Sequence, residues 1–316
     1  MSAAPFTINP TLSAIAVAYH NGQMIADAVL PRTTPVGTKT FKYTVFPKGE
    51  AFTVPNTMVG RRGRPNVVEF GGSQTEATAQ DYGLEDEIPQ DDIDQAEAAR
   101  ALAPELATPQ AHATEMITNL IELDREVRVA GIVFNPATYG AANKVQLAGA
   151  TQFSNVASTP VGQISDALDG MLMRPNTGIF GAKTWSKLRR HPEIVSAVLG
   201  NDGTKGIVTR QQFAELFELE EVLVGEGFVN TAKRGQAEVF ARCWGNHAAF
   251  IHRNKTANQS KGVTFGMTVP YGTRVAGDWP DRDIGLRGGM KVRVGETVKE
   301  LITAPDLGFL FQDAVS

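Results

Sequence analysis

The chain of 316 residues is long enough for one large domain, or two ordinary ones, with a buried core. Hydrophobic residues make up 42% of it and charged residues 20%, which excludes a disordered or fibrous protein. The formal net charge of −4 disfavours a general polyanion binder, and the single cysteine excludes an internal disulfide framework.

The first seventy residues predict an arm followed by a hairpin. Residues 1–29 carry little charge and indicate an N-terminal arm with one short helix over residues 12–19. Residues 38–46 alternate between apolar and polar side chains, and residues 66–70 form a second extended run, so two strands are predicted. Because these strands offer little apolar surface, the hairpin cannot bury itself and needs another surface to lie on.

Opposite charges segregate along this part of the chain. Residues 30–75 hold seven basic and two acidic groups, a net charge of +5, whereas residues 76–105 hold ten acidic groups and one basic group, a net charge of −9. Such blocks are either solvated faces or complementary surfaces that meet between two copies of the chain, and the sequence leaves both interpretations open. Under the second interpretation the candidate contact residues are Lys42, Arg61, Arg62, Arg64, Glu85, Asp86 and Glu87.

The strongest helix signal lies at residues 108–131, where Thr108 provides a cap and Pro109 a first-turn proline. The helix would run for about six turns, or roughly 30 Å, which suits a structural spine. Its predicted apolar face consists of Ala113, Met116, Ile117, Leu120, Leu123, Val127 and Ala130. Its predicted remaining surface consists of Glu122, Asp124, Arg125, Glu126 and Arg128.

The second half of the chain predicts a separate unit of mixed helix and strand. Helices are predicted at residues 159–173, 183–190, 192–199 and 209–219, the last with a capping box formed by Thr209 and Gln212. Strands are predicted at residues 178–181, 221–225, 290–294 and 307–311. A tight hairpin is predicted to join residues 238–244 to residues 248–252 around Gly245 and Asn246.

The search for catalytic and ligand-binding motifs gives no candidate. The sequence has no phosphate-binding loop, no dinucleotide fingerprint, no serine-nucleophile elbow and no zinc-protease motif. Cys243 has no cysteine partner and is predicted to be an inert buried thiol. His247 and His252 lie five residues apart on a predicted strand and so point to opposite faces, which disfavours a metal site. We therefore expect no catalytic residue, no metal and no cofactor.

The order of these parts, together with short local phrases, resembles the major capsid proteins of tailed bacteriophages, which have the Hong Kong 97 fold. The phrases include residues 64–70, residues 82–89, Glu126-Val127-Arg128-Val129-Ala130, residues 216–230 and the ending at residues 308–315. Each phrase is weak alone, but their order across most of residues 30–316 is fairly specific.

The resemblance implies an α+β capsid-type fold with four parts. Residues 1–29 would form the N-terminal arm, and residues 30–80 the extended β-hairpin (E-loop) with its connector. Residues 81–154 and 289–316 would form the peripheral domain, with the spine helix at 108–131, and residues 155–288 the axial domain. The hairpin would reach over a neighbouring subunit, which explains why it cannot bury itself.

The resemblance also implies a function. The chain would self-assemble into hexamers and pentamers of an icosahedral head that encloses double-stranded DNA without sequence-specific binding. A separate scaffolding protein, a portal and in some phages a cement protein would be its partners, assembly would take place in the bacterial cytoplasm, and no membrane would be involved. Two alternatives remain: a shell of the encapsulin type that encloses cargo enzymes, and an α+β enzyme with an unrecognised site.

Overall fold

The computed structural model describes residues 8–18, 24–45, 54–67, 73–103, 107–200, 206–233, 235–259 and 261–316. The helices are Pro10–Ala18, Ala26–Val29, Gln90–Leu102, Pro109–Val133, Pro160–Asp169, Ala182–Leu188, Pro192–Leu199 and Arg210–Phe217. Three-residue 3-10 turns lie at Pro136–Thr138, Ala141–Asn143, Gly149–Thr151 and Pro305–Leu307.

A four-stranded antiparallel sheet is centred on the longest strand, β12 (Gly289–Ile302). Its first half pairs with both β3 (Gln80–Pro89) and β11 (Val275–Asp281), which therefore lie along opposite edges of β12. Its last five residues pair with β10 (Gly266–Pro270). Helices Pro10–Ala18 and Pro109–Val133 cover one face of this sheet, with Ile117 and Ile121 packed in one core with Val292 and Val294.

A five-stranded mixed sheet forms the second unit, in the order β4 (Lys144–Gln146), β13 (Gly308–Gln312), β9 (Ala248–Ile251), β5 (Thr177–Gly181) and β6 (Glu221–Gly225). Strands β9 and β5 are buried at every residue, as expected for strands with neighbours on both edges and helices on the faces. The largest hydrophobic core of the described residues surrounds it, with Phe180, Trp185, Phe213 and Phe250 in ring contact.

The spine helix is confirmed at Pro109–Val133, and the Thr108 side chain caps it by accepting a hydrogen bond from the backbone N–H of Ala111. The predicted division of its surface is wrong in part. Glu122, Arg125 and Glu126, expected on the surface, are buried because the helix turns them toward the sheet, where they find charged and polar partners. Met116, Leu120 and Val127, expected on the packing face, are exposed.

The hairpin is formed by β1 (Thr40–Val45) and β2 (Ser73–Thr78), with Phe41 opposite Ala77 and Tyr43 opposite Thr75. The predicted second strand at 66–70 is wrong at its start, since Asn66 and Val67 are in no strand; residues 68–70 lie outside the described residues. Strand β2 is the one that places Ala77 inward, beside Phe41 and Tyr43. Phe46 and Tyr19, at the ends of a predicted strand and a predicted helix, also lie outside the described residues.

In the second half, the structure confirms three predicted features: the strand at Glu221–Gly225, the helix at Pro192–Leu199 and the capping box of Thr209 and Gln212. The helix predicted to reach residue 173 ends at Asp169. The predicted hairpin around Gly245 is wrong, because β8 (Phe240–Arg242) pairs instead with β7 (Phe228–Asn230). Strand β9 already has neighbours along both edges, so it has no free edge for β8.

Strand order also bears on the predicted division into domains. Strands β10 and β11 lie before residue 288 but belong to the sheet of β12, and the C-terminal strand β13 lies in the five-stranded sheet. The chain thus crosses from one sheet to the other more often than the predicted division requires, in which only the peripheral domain is built from two separate segments.

Candidate intersubunit surfaces

The hairpin has a packed base and an exposed arm. At the base, Phe41 is buried in a small core with Ala79, Met267, Val269 and Leu301. In the arm, residues 54–67 are all exposed, including the apolar side chains of Val54, Met58 and Val67. Within the described part of the chain, no carboxylate lies within ion-pair distance of Arg61, Arg62 or Arg64, which surround a tight turn from Gly60 to Gly63.

The predicted acidic contact residues lie on strand β3 and are partly neutralised within the subunit. Glu85 pairs with Arg293, and Glu87 pairs with Lys291 at 3.1 Å between carboxylate oxygen and Nζ. Asp86 is exposed and accepts a hydrogen bond from the backbone N–H of Glu87. Lys42 is exposed on β1 opposite Glu76. The subunit therefore does not bring the basic and acidic candidates together.

A groove of about 880 Å³ crosses the face of the sheet that points away from the spine helix. Successive residues of a strand point to opposite faces, so Arg293, Gly295 and Thr297 line this face while Val292 and Val294 face the helices. Gly83 and Gly295 lie side by side in its floor, and a Cβ at Gly83 would approach the carbonyl oxygen of Val294 to 3.1 Å. The floor is thus open backbone that an extended segment can approach closely.

Buried charges join the N-terminal segment to the spine helix and to strand β12. Arg32 bridges Asp27 at 2.8 Å and Glu296 at 3.0 Å, and Arg274 bridges Glu296 and Glu122, each at 3.1 Å. Arg125 pairs with Asp27, and Arg128 pairs with Glu300 at 2.5 Å. Four carboxylates thus face four guanidiniums, which leaves the cluster close to neutral.

These pairs set the protonation of the carboxylates. Burial raises the pKa of Asp27, but Arg125 and Arg32 outweigh it and hold that pKa below its ordinary value. Burial likewise raises the pKa of Glu296, and Arg32 and Arg274 again lower it by more. The sequence patterns did not lead to a prediction of this cluster. A signal for it exists in β12, where Glu296 and Glu300 occupy inward positions among the valines of the same strand.

Glu126 is buried on the same helix, and no cation among the described residues lies within ion-pair distance of it. Its carboxylate accepts hydrogen bonds from the backbone N–H groups of Ile25 and Ala26 at 2.9 and 2.8 Å, and from the indole Nε1 of Trp244 at 2.5 Å. Burial raises its pKa, and these hydrogen bonds offset part of that rise. Gly225 makes room for the indole, since a Cβ there would lie 2.0 Å from Cδ1 of Trp244.

The described residues offer no obvious catalytic chemistry. No group of three or more histidine, cysteine, aspartate or glutamate side chains among them could hold a metal ion. Cys243 is half-buried, and burial, followed by the nearby Glu126 carboxylate, raises the pKa of its thiol to about 11, so the thiol is protonated at neutral pH. No helix in the described ranges is long and apolar enough to cross a membrane.

Comparison with known proteins gives full-length matches. The major capsid protein of Pseudomonas phage JBD67 is 51% identical over 316 residues, which cover all of both chains. A phage-related protein from Bordetella bronchiseptica RB50 has a similar structure, with a TM-score of 0.73 and 22% identity over 98% of each chain. The mature capsid of bacteriophage PhiM1 matches with a TM-score of 0.53 and 10% identity, over 93% of this chain and 87% of that one.

A scan against models of protein families finds no match. The structural matches establish the fold, and the relative that is 51% identical from end to end establishes the family. The full-length relative is named a major capsid protein, which favours that role over a cargo-enzyme shell and over an unrecognised enzyme. The chain belongs to the major capsid proteins of bacteriophages and has the Hong Kong 97 type of capsid fold.

Proposed function

We propose that this chain forms hexamers and pentamers of the icosahedral head of a tailed phage, which encloses double-stranded DNA. The observation that carries the proposal is the hairpin arm, whose apolar and basic side chains are exposed along all of residues 54–67. An arm of this kind gains little by folding on its own subunit, but it is stabilised where many copies each cover a neighbour.

The groove over Gly83 and Gly295 is the surface we propose for the neighbour's arm. Val36, Val275 and Tyr271 line it beside Glu85. The carboxylates of Glu85 and Glu87 already have one cation each, but a carboxylate has about four lone-pair sites and accepts a second donor. Arg61, Arg62 and Arg64 of one copy would share these carboxylates with Arg293 and Lys291 of the next.

The finer assignments follow from the family resemblance. A separate scaffolding protein, a portal and a cement protein are the proposed partners, and the bacterial cytoplasm is the proposed place of assembly. The net charge of −4 supports a shell that encloses DNA without sequence-specific binding. The sheet of β12, with β10 and β11, would form the peripheral domain, and the five-stranded sheet, with β13, the axial domain.

Sedimentation velocity of the purified full-length chain tests this proposal. We expect hexamers, pentamers or larger particles of the 34.0-kDa chain, in proportions that depend on salt because the arm carries charge. A monomer that stays a monomer across protein and salt concentrations would overturn it. DNA inside purified particles, detected by its absorbance and nuclease protection, would support the viral role, whereas a co-purified cargo enzyme would contradict it.

A further inference from the structure

The side of the spine helix that faces away from the sheet carries an apolar ridge. Met116, Leu120, Leu123 and Val127 fall within about 60° of the helix circumference, at 100° per residue. Met116 is 52%, Leu120 49% and Val127 39% exposed. The buried side of the same helix packs on the sheet through Ile117 and Ile121. A helix that is apolar on both sides is normally covered on both.

A shallow groove of about 290 Å³ continues the ridge at its N-terminal end. Met116 belongs to both features, and Ile88 and Ala113 add apolar surface to the groove. Asp86, Glu87, Asp92 and His112 are the groups at its rim that titrate. The ridge and the groove together form a continuous apolar track with an acidic border, which we call the spine track.

The border of the spine track has unbalanced negative charge. Asp86, Asp92 and Glu115 are exposed, and no cation of the described residues lies within ion-pair distance of any of them. The cation on the other flank, Arg128, is already paired with Asp124 and Glu300. A ligand that covers the track must therefore bring positive charge around an apolar centre.

Charge excludes two other occupants. A nucleic acid is a polyanion and would be repelled by the acidic border. A second copy placed face to face would oppose acidic residues to acidic residues, which costs free energy. The hairpin arm of a neighbour is basic, but its proposed groove lies on the opposite face of the sheet, beside Gly83 and Gly295.

We propose that the spine track binds a basic amphipathic helix of a separate protein that assists assembly. The ridge spacing of four, three and four residues matches the way one helix packs its apolar side along another. This inference rests on the proposed shell function, in which the hairpin arms bind one face of the sheet and leave the spine track on the other side accessible to a partner.

A peptide-binding experiment on the full-length chain tests the proposal. The probe is a fluorescein-labelled 20-residue synthetic helix with leucines at helical spacing and lysines on both flanks, and its affinity is measured by anisotropy. Leu120→Gln with Val127→Gln should weaken binding at least tenfold. Leu172→Gln with Leu199→Gln, at positions that are 51% and 50% exposed elsewhere in the chain, is the matched control and should change it less than twofold.

A second variant tests the acidic border without touching the ridge. Asp86→Asn with Asp92→Asn and Glu115→Gln should weaken binding and reduce its dependence on salt, because fewer charge pairs form. A peptide whose lysines are replaced by glutamates should not bind the wild-type chain. Equal affinity in all variants would overturn the proposal, as would a dimer of this chain that the ridge variant abolishes, since a second copy would then be the occupant.

Electron microscopy of the same samples separates this inference from the shell function. Shells formed by the wild type and by every variant, with unchanged peptide affinity, would overturn the spine track and leave the shell function intact. In the opposite outcome, the ridge variant loses its affinity for the peptide and still forms normal capsomers through the hairpin contacts. That result would support the spine track as a binding surface distinct from the hairpin contacts.

Discussion

The indole Nε1 of Trp244 donates a hydrogen bond of 2.5 Å to the buried carboxylate of Glu126, 118 residues earlier in the chain. The same carboxylate accepts from the backbone at Ile25 and Ala26, so one side chain holds the N-terminal segment and the loop before β9 against the spine helix. We infer that Glu126 fixes the relative position of the two sheets within the subunit.

Replacing this carboxylate should lower the stability of the subunit. Glu126→Gln puts an amide NH₂ where a carboxylate oxygen now accepts, so at least one of the three donors loses its partner. We expect a decrease of about 1–3 kcal/mol in the free energy of unfolding, measured by urea denaturation with tryptophan fluorescence. Glu115→Gln, exposed on the same helix, should change it by less than about 0.5 kcal/mol. Equal effects would show that Glu126 is not a structural anchor.

The buried pairs of Glu296 predict a stability that depends on pH. Glu296→Gln leaves Arg32 and Arg274 without this carboxylate, and we expect a loss of about 3–5 kcal/mol at pH 7. Because the pKa of Glu296 is lowered in the folded chain, its contribution is present above the unfolded value of about 4.3 and is lost as the pH falls through the lower folded value.

Urea unfolding at pH 7 and at pH 3 measures this effect. The difference between wild type and Glu296→Gln should shrink at the lower pH, because below about pH 4.3 this carboxylate binds a proton more readily in the unfolded chain than in the folded chain. Glu220→Gln, an exposed position, provides the control and should show no such dependence. A difference that stays constant between the two pH values would contradict the assignment of Glu296 as a charged partner.

Cys243 should react slowly with alkylating reagents. Its pKa of about 11, against about 8.5 for a free thiol, lowers the thiolate fraction at pH 8 by about 200-fold. Iodoacetamide labelling of the folded chain should therefore be at least 100-fold slower than that of the urea-unfolded chain. Labelling should accelerate in Glu126→Gln, because the negative charge that helps to raise the pKa is removed. Equal rates in the folded and unfolded chains would be incompatible with a buried, protonated thiol.

Charge reversal in the hairpin arm should block assembly. Arg61→Glu with Arg62→Glu and Arg64→Glu would repel the carboxylates of the neighbouring subunit's groove, whereas the exposed arm contributes little to the fold of its own subunit. We expect a folded monomer by circular dichroism and sedimentation. Lys183→Glu with Lys187→Glu and Arg190→Glu reverses three exposed cations in, and just after, the helix Ala182–Leu188 for comparison. Normal shells from the arm variant would refute the proposed arm contact.

The sequence predicts local features well because their signals are local. Thr108 with Pro109, and Thr209 with Gln212, define two helix starts within four residues each, and the structure shows both caps. The alternation in β1 is confirmed at its start, where Phe41 is buried between the exposed Thr40 and Lys42, whereas residues 43–45 are all half-buried. Strand partners are not local, so Phe240–Arg242 was predicted to pair with the next strand although it pairs with the preceding one.

The buried charges could not be predicted from the helix alone. Glu122 and Arg125 look like ordinary surface residues in sequence because their partners lie far away; Glu122 and Arg274, for example, are 152 residues apart. Once three charged residues of the helix are assigned to the sheet side, Met116, Leu120 and Val127 must turn outward. The wrong assignment of the buried charges to the surface therefore also explains why these three apolar residues were wrongly assigned to the packing face.

Negative-stain electron microscopy of the purified chain, with and without a co-expressed scaffold candidate, tests the central claim most directly. The account predicts closed shells, or rings of five and six subunits, in at least one of the two preparations. Particles that remain discrete dimers or tetramers under every condition would contradict it.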